Sequence, residues 1–173
     1  RPQSSRWYPG AGLYRNVHLI VTDKIHVPVW GTQITTPHVS KEFAAVRLQT
    51  RIDNAGEKTQ IRMETEILSP DGKVVTRKEN TGRINHGQPF EQNFIVNAPE
   101  LWSPENPSLY KAVSKIYANN KLVDTYTTRF GIRSIEFIAD KGFYLNGEHR
   151  KFQGVCNHHD LGPLGAAINV AAL

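Results

Sequence analysis

Cysteine and long apolar segments are scarce in this sequence of 173 residues, and each scarcity excludes a class of protein. The single cysteine, Cys156, rules out an internal disulfide bond, so packing has to provide the stability. No apolar run approaches the roughly 18 residues of a membrane-spanning helix, and we therefore expect no membrane partner. The sequence begins at Arg1 without methionine or the apolar core of a signal peptide, which indicates a processed or cut start. These features are compatible with a bacterial-type soluble protein of either the cytoplasm or the periplasm.

Clusters of positive charge are also lacking, although the net charge is +5. Lysine and arginine residues are spread among apolar and acidic neighbours, and the only adjacent basic pairs are Arg77-Lys78 and Arg150-Lys151. A nucleic-acid footprint requires a basic patch or stripe, so we expect no nucleic-acid partner. The composition, with 39% hydrophobic and 21% charged residues, is that of a folded globular protein.

The middle of the chain consists of segments in which polar and apolar residues alternate, which is the pattern of a half-buried β-strand. The clearest segment places Ala44, Val46, Leu48 and Ile52 on one face, with Thr50 among them. The alternating segments are residues 16–23, 24–30, 44–54, 59–69, 73–80, 89–97, 108–119 and 121–131. Their spacing predicts a mainly β protein with about seven strands over residues 16–133, arranged as an immunoglobulin-like antiparallel β-sandwich.

Turn sequences separate these segments. Residues that preset a turn or tolerate a positive φ occur at residues 53–56, 69–72 and 119–120. We expect the core to be filled by large aromatic residues, namely Trp30, Trp102, Phe94, Tyr110, Tyr117 and Phe130. The flanks differ from the middle, since residues 1–15 resemble a loop with a short strand and residues 134–155 contain a predicted β-hairpin.

Two stretches with proline or glycine are interpreted as structural. Three prolines within residues 98–110 forbid a helix and predict an extended crossing between strands. Within residues 128–137, Gly131 permits a bulge where the chain leaves the sandwich. Arg129 and Arg133 are expected to fix this exit by hydrogen bonds.

Residues 154–160, "GVCNHHD", are rich in side chains that bind ligands. A metal site is disfavoured, because adjacent residues of an extended chain point to opposite sides and metal ligands are usually spaced as in HxxxH or CxxC. Nothing in the sequence orients a Cys–His nucleophilic pair. The stretch fits better in a β/α barrel, where substrates bind in the loops that follow the strands. Residues 150–155 would then be the first barrel strand, residues 156–165 its loop and residues 166–173 the start of its helix.

Four stretches resemble glycoside hydrolase family 2, which contains β-galactosidases, β-glucuronidases and β-mannosidases. "SRWYPGAGLYRNVHL" is similar to the closing strand of the N-terminal sugar-binding jelly roll of that family. "LWSPENPSLY" and "FGIRSIEF" are similar to the end of its immunoglobulin-like middle domain, and "GFYLNGEHRKFQGVCNHHD" to the entry into its catalytic barrel. The resemblance implies that residues 1–15 are the tail of the jelly roll, residues 16–133 the sandwich, and residues 134–173 the start of a truncated (β/α)8 barrel. The β-galactosidase-like enzymes are the most similar subfamily.

The resemblance also implies a sugar-binding loop. The family loop usually reads G-V-N-R-H-E, and its histidine contacts the sugar in the subsite where cleavage occurs. Alignment from the initial Gly-Val places this histidine at His158. Asn157 then takes the arginine position, and the glutamate position falls on His159, or on Asp160 if one residue is inserted. These four residues are the candidate substrate-binding residues.

Catalysis by a retaining glycosidase needs two carboxylates about 5 Å apart, and the family draws both from later barrel strands. The 16 Asp and Glu residues show no such motif, so we predict no catalytic residue and no metal ligand in this chain. The resemblance implies the central piece of a β-galactosidase-like enzyme of carbohydrate catabolism, which acts on a β-galactoside or related oligosaccharide. This piece is expected to be an inactive scaffold. It needs no cofactor of its own, whereas a divalent cation and a homo-oligomer are compatible with the intact enzyme.

A stand-alone immunoglobulin-like module that binds carbohydrate or protein is the alternative. The aromatic side chains of Trp7, Tyr8 and Trp30 would then stack on the apolar face of a sugar. A tail that resembles the first strand of a barrel favours the enzyme, because a binding module does not need one.

Overall fold

The computed structural model describes residues 13, 16–85, 87–156 and 171. The chain forms two compact units, one of Thr22–Lys151 and one of Arg1–Val21 with Phe152–Leu173. Every strand of the described residues belongs to the Thr22–Lys151 unit. Within the described part of the chain, no helix combines the length and the apolar character that crossing a membrane requires.

Antiparallel β-strands make up the Thr22–Lys151 unit, which confirms the predicted fold class. The strands are β1 (Ile25–His26), β2 (Thr32–Val39), β3 (Phe43–Asn54), β4 (Thr59–Leu68), β5 (Val74–Ile84), β6 (Gln88–Asn97), β7 (Tyr110–Ala118), β8 (Lys121–Phe130), β9 (Ile135–Ile138), β10 (Gly142–Leu145) and β11 (Glu148–Arg150). In the first sheet, β3 pairs with β1, β2 and β6. The second sheet has the order β5-β4-β7-β8, and a small third sheet has the order β11-β10-β9.

The inward faces of the first two sheets form the core. Alternate residues of β3 are buried, namely Ala44, Val46, Leu48, Thr50, Ile52 and Asn54. The residues between them are exposed or half-buried, as the alternating pattern predicts. Inward residues of the second sheet join those of β3 and β6 in two hydrophobic clusters. Burial of one Leu or Ile side chain stabilises the fold by roughly 1.5–3 kcal/mol, so this face of β3 is a main source of stability.

The prediction of aromatic core residues is only partly correct. Phe94, Tyr110 and Phe130 are buried in the same hydrophobic cluster. Trp102 is half-buried at the edge of the sandwich. Tyr117 is half-buried on the outward face of β7, where it packs under a cation instead of filling the core: the guanidinium carbon of Arg62 lies 4.0 Å from its ring centroid.

Trp30 contradicts the prediction, since 90% of this residue is exposed. The chain turns at residues 28–31, where the N–H of Gly31 donates to the carbonyl of Pro28 at 2.8 Å. Trp30 has a φ of 58°, and the turn directs its side chain away from the core. Sequence alternation alone does not reveal this, because the apolar residues before the turn continue the strand pattern.

Strand predictions fail in the first part of the chain. Residues 16–23 have no strand, and β1 contains only two residues. The adjacent N–H of Val27 donates to Asp124 Oδ2 at 2.7 Å instead of continuing a ladder. Strand β2 was not predicted, because its sequence TQITTPHV is mostly polar and contains Pro37. An edge position and an irregular register between Thr35 and His38 accommodate this proline, which has no N–H to donate.

The predicted turns are confirmed. Asn119 and Asn120 join β7 to β8 as a two-residue loop, and both have positive φ values of 50° and 64°. At residues 69–72, the N–H of Gly72 donates to the carbonyl of Ser69 at 2.9 Å, and Gly72 has a φ of 86°. These residue types adopt the left-handed region at little cost, which is why the turns are readable in the sequence.

The predicted hairpin of residues 134–155 is a meander of three strands, β9, β10 and β11. Strand β11 ends at Arg150, and residues 151–156 have no strand. The barrel strand predicted over residues 150–155 is therefore not confirmed, because a barrel strand is defined by pairing and no described strand pairs with residues 151–156. The loop and helix predicted beyond this point lie outside the described residues, apart from Cys156 and Ala171.

We expect an unusually acidic Asp71 in the turn between β4 and β5. The hydrogen-bonded Lys73 ammonium, and then the Ser69 hydroxyl, lower the pKa of Asp71 from 3.8 to about 2. The carboxylate therefore stabilises the folded turn fully above pH 3.8, and this contribution is lost as the pH falls through about 2. A carboxyl-carbon NMR titration measures this pKa. Lys73→Ala should raise it toward 3.8, and the control Lys121→Ala should not; equal values in both variants would contradict the assignment.

Candidate functional site

The four candidate sugar contacts, Asn157, His158, His159 and Asp160, lie outside the described residues. The adjacent Cys156 is described and exposed. Among the described residues, no group of three or more His, Cys, Asp or Glu side chains is placed to hold a metal ion. The proposed sugar-binding loop therefore stays a prediction, and the structure instead shows how the residues that precede it are held.

Three of the sequence motifs meet at one corner of the Thr22–Lys151 unit. Leu101 and Ile132 form an isolated parallel bridge between "LWSPENPSLY" and "FGIRSIEF". The N–H of Trp102 donates to the carbonyl of Ile132 at 2.8 Å. The third motif contributes Asn146, whose side chain donates to the carbonyl of Trp102 at 3.0 Å. We call Trp102, residues 131–134 and Asn146 the motif corner.

Gly131 allows the two backbones of the motif corner to approach. A Cβ atom at this position would lie 2.8 Å from Trp102 Cβ and 2.9 Å from Trp102 Cγ, closer than side-chain carbons normally approach. The Trp102 side chain occupies the space that any larger residue would need. The predicted bulge glycine is thus required for a close contact with tryptophan, a reason that the sequence did not reveal.

Arg133 fixes the chain exit in a different way from the one predicted. Its guanidinium carbon lies 4.6 Å from the centroid of a Trp102 ring, which is a cation–π contact. Its main-chain carbonyl accepts a hydrogen bond of 2.9 Å from the Thr36 hydroxyl of β2. Arg129 lies in β8, opposite Lys111, and its side chain is exposed. Arg133 therefore joins the exit to the sandwich, with a stacked side chain and a bound carbonyl.

Asn146 joins the meander to the same corner. The N–H of Ser134 donates to Asn146 Oδ1, and the N–H of Asn146 donates to the carbonyl of Ser134, both at 3.0 Å. Asn146 has a φ of 53°, which places it in the tight turn before Gly147. Asn146 was not among the residues singled out from the sequence. Both ends of its side-chain amide bind the main chain, Oδ1 at Ser134 and Nδ2 at Trp102. This role can be recognised only once the fold is known.

Arg150 ties the end of the meander to the crossing segment. Its guanidinium pairs with Glu105 at 2.5 Å and with Glu148 at 3.1 Å. Hydrogen bonds to its carboxylate hold the pKa of Glu105 below its ordinary value. The main-chain N–H of Glu105 has the largest effect, followed by the side chains of Ser103 and Arg150. Because these groups are exposed to solvent, which screens their charges, we expect the pairing to contribute little to stability.

An open cleft of about 530 Å³ lies beside the motif corner. Apolar and cationic side chains line it, including Ile34, Trp102, Leu109, Arg129, Arg133 and Ile135. No acidic residue is among its described lining residues, and neither arginine forms an ion pair with a described residue. Such a surface suits packing against another protein segment rather than acid–base chemistry.

Carboxyl groups with a displaced pKa in the described part of the chain are all displaced downward. They are Glu42, Asp71, Glu91 and Glu105. At Glu91 the leading cause is Arg47, whose guanidinium lies 2.6 Å from the carboxylate. The general acid of a glycosidase needs a raised pKa, and none of these four groups has one.

We expect Gly131→Ala to lower the free energy of unfolding by about 1–3 kcal/mol, because the new methyl group overpacks the contact with Trp102. Urea denaturation followed by tryptophan fluorescence measures the change. Gly154→Ala is the matched control, since a Cβ atom there meets nothing within 4 Å. Equal stability of the two variants would show that the corner does not require glycine.

Comparisons with known proteins agree on the family to which this chain is similar. The family model "Glycosyl hydrolases family 2" matches residues 27–133. The chain is similar to β-galactosidase BoGH2A of Bacteroides ovatus, with 40% identity over 98% of this chain and 20% of that protein. It is also similar to a β-glucuronidase of Formosa agariphila, with 35% identity over 86% of this chain and 16% of that protein. The chain therefore spans about a fifth of the length of these relatives.

Solved structures show the same relationship. A family 2 glycosyl hydrolase of Bacteroides cellulosilyticus superposes with a TM-score of 0.90 at 36% identity, over 96% of this chain and 22% of that one. A β-glucuronidase of Bacteroides uniformis superposes with a TM-score of 0.76 at 29% identity, over 86% of this chain and 19% of that one. Because the family model covers more than half of the sequence and the folds agree, the chain belongs to glycosyl hydrolases family 2.

Proposed function

We propose that this chain is part of a retaining glycosidase that hydrolyses terminal β-galactosides or related β-glycosides. The observation that carries the proposal is the 40% identity with a β-galactosidase over almost the whole chain. Identity with a protein named as a putative β-glucuronidase is lower, at 36%. A galactoside is therefore the first substrate to test, with a glucuronide as the second.

The role of these residues in such an enzyme is that of a scaffold. The motif corner holds the exit of the sandwich and the meander together through Trp102, Arg133 and Asn146. A rigid exit fixes the direction in which the following chain leaves. Catalytic groups must be held within a fraction of an ångström of their productive positions, so a rigid exit would benefit a barrel built on it. Assembly into a homo-oligomer is a further prediction, which sedimentation of the intact enzyme would test.

The domain boundaries form part of the proposal. Residues 1–15 are assigned to the end of the jelly roll, residues 16–133 to the sandwich and residues 134–173 to the start of the barrel. The family match over residues 27–133 ends where the proposed sandwich ends, which supports this boundary. We further propose that His158 contacts the sugar, with Asn157 and either His159 or Asp160 beside it. Their order in the sequence is the support for this assignment.

Hydrolysis of aryl β-glycosides tests the function. We expect the intact enzyme to release the aryl group from a β-galactoside with a higher kcat/KM than from a β-glucuronide. The 173-residue chain alone should release neither, because two carboxylates placed for retaining hydrolysis are required. Turnover by the 173-residue chain, or failure of the intact enzyme on both substrates, would overturn the proposal.

The same assay tests the sugar contact. In the intact enzyme, His158→Ala should lower kcat/KM by about tenfold, the equivalent of one lost hydrogen bond of about 1.4 kcal/mol. His38→Ala is the matched control, since His38 is exposed in β2. Equal effects of the two substitutions would remove His158 from the proposed site.

A second candidate function, sugar binding by the sandwich itself, is supported by Trp30. Trp30 is 90% exposed, and its backbone has a positive φ, which is unfavourable for a residue with a large side chain. The fold therefore maintains a large exposed aromatic surface at a cost in backbone strain. The N–H of Trp30 donates to the Tyr126 hydroxyl at 3.2 Å, which anchors the turn. The other aromatic residues suggested for this role, Trp7 and Tyr8, lie outside the described residues.

Calorimetric titration of the 173-residue chain with galactose distinguishes this second function. If Trp30 stacks on the sugar, the heat is saturable, is lost in Trp30→Ala and is retained in Trp30→Phe. Absence of saturable heat with both galactose and glucuronate would exclude it.

A further inference from the structure

A band of polar side chains crosses the core of the sandwich, between the two hydrophobic clusters. In β3, Leu48 belongs to one cluster, Ile52 to the other, and Thr50 lies between them. In β4 and β7, the buried residues on the two sides of Thr65 and of Ser114 likewise belong to different clusters. Each of the seven strands from β2 to β8 contributes one member, and we call the set the polar belt: Thr32, Thr50, Thr65, Asn80, Gln92, Ser114 and Thr128.

Most of the polar belt is paired through direct hydrogen bonds. The hydroxyl groups of Thr65 and Ser114 lie 2.9 Å apart, fully buried between β4 and β7. Those of Thr32 and Thr128 lie 2.8 Å apart and connect β2 with β8 of the other sheet. Hydrogen bonds between belt residues therefore form within one sheet and also between the edge strands of the two sheets.

Gln92 uses one end of its amide to connect the other edge. Its Nε2 donates to Asn80 Oδ1 at 3.0 Å and lies 3.4 Å from the carbonyl of Lys78, so β6 is bonded to β5. This arrangement directs Oε1, the acceptor end, into the core. Gln92 is only 2% exposed, which leaves its Oε1 without access to solvent.

Two polar atoms of the belt have no hydrogen-bond partner among the described residues, and both are buried. They are Thr50 Oγ1 and Gln92 Oε1. Their strands are adjacent: Thr50 pairs with Phe90, and Gln92 pairs with Leu48, so Thr50 and Gln92 are diagonal neighbours on the inward face. Diagonal positions of this kind are about 7–8 Å apart, within reach of a long side chain such as that of Gln92. The two polar atoms nevertheless form no direct hydrogen bond, so one bridging molecule could satisfy both.

We propose that the polar belt binds an internal water molecule between Thr50 Oγ1 and Gln92 Oε1. Gln92 Oε1 can only accept, so the ligand must donate; the Thr50 hydroxyl can donate or accept. The described members of the belt carry no charge, so a cation would lack the carboxylate that compensates its burial. Water is the smallest neutral molecule that donates to one of these atoms and bonds to the other, and buried waters typically satisfy such groups.

The water would join Thr50 to the hydrogen-bonded pair of Gln92 and Asn80. A slip of either sheet by one residue would place these polar groups on the solvent face, and a slip by two would place them against Leu or Ile side chains. The belt with its water thus disfavours alternative registers of the two sheets, at a level where the core is otherwise apolar.

A high-resolution crystal structure of the 173-residue chain tests the proposal. We expect one water oxygen within about 2.6–3.2 Å of both Thr50 Oγ1 and Gln92 Oε1. In solution, the same water should give a nuclear Overhauser effect to the Thr50 methyl group. This signal should be lost in Thr50→Val, which replaces the hydroxyl with a methyl group of similar size.

Two further variants guard against misfolding of Thr50→Val. Thr50→Ser keeps the hydroxyl and should keep the water in its crystal structure. Thr127→Val removes an exposed hydroxyl from β8 and should leave the Overhauser signal at Thr50 unchanged. A direct hydrogen bond between Thr50 and Gln92, or a space between them without ordered water in the wild-type chain, would overturn the proposal. So would retention of the signal in a folded Thr50→Val variant.

Discussion

Burial of one face of β3 is the constraint on which the rest of the sandwich depends. This strand pairs with β1, β2 and β6, and its inward residues enter both hydrophobic clusters. Because side chains alternate along a strand, one buried face determines which residues of each paired strand also point inward. The second sheet then packs its own apolar face against that surface. Turns and edge contacts adapt to this arrangement.

In the part of the chain that the structure describes, the edges of the sandwich are closed by side chains rather than by further strands. On one side, Asp124 accepts the N–H of Val27 and Tyr126 accepts the N–H of Trp30. On the other side, Gln92 and Asn80 connect β6 to β5. Unpaired strand edges promote aggregation, so bonds of this kind protect the sheets where their ladders end. They also explain why so many buried or half-buried polar residues occur near the strand ends and in the polar belt.

The motif corner connects the fold to the proposed function. Its residues come from three separated stretches of sequence, and they meet because Gly131 permits the close approach of Trp102. Arg133 and Asn146 then complete the connection with a cation–π contact and backbone hydrogen bonds. In the proposed enzyme, these contacts would fix the direction in which the following chain leaves the sandwich.

Features of the fold that depend on the local residue types could be predicted from the sequence, and features that depend on distant contacts could not. Turns at Gly72 and Asn120 were predictable, because a positive φ strongly restricts the residue type. Strand β3 was predictable from its alternation, whereas β2 was not, since an edge strand tolerates polar residues and Pro37. The exposure of Trp30 could not be predicted, because an apolar residue beside a strand looks the same whether the chain continues or turns.

By itself, the sequence determined the β class, the turn positions and the family, since these depend on period, backbone preference and ordered motifs. Only the tertiary structure decided that Gly131 serves Trp102, that Asn146 binds two backbone segments, and that Thr50, Thr65, Gln92 and Ser114 are buried between the two hydrophobic clusters. The physical reason is distance along the chain. Trp102 and Asn146 are 44 residues apart, and a contact between such residues leaves no local pattern in either stretch.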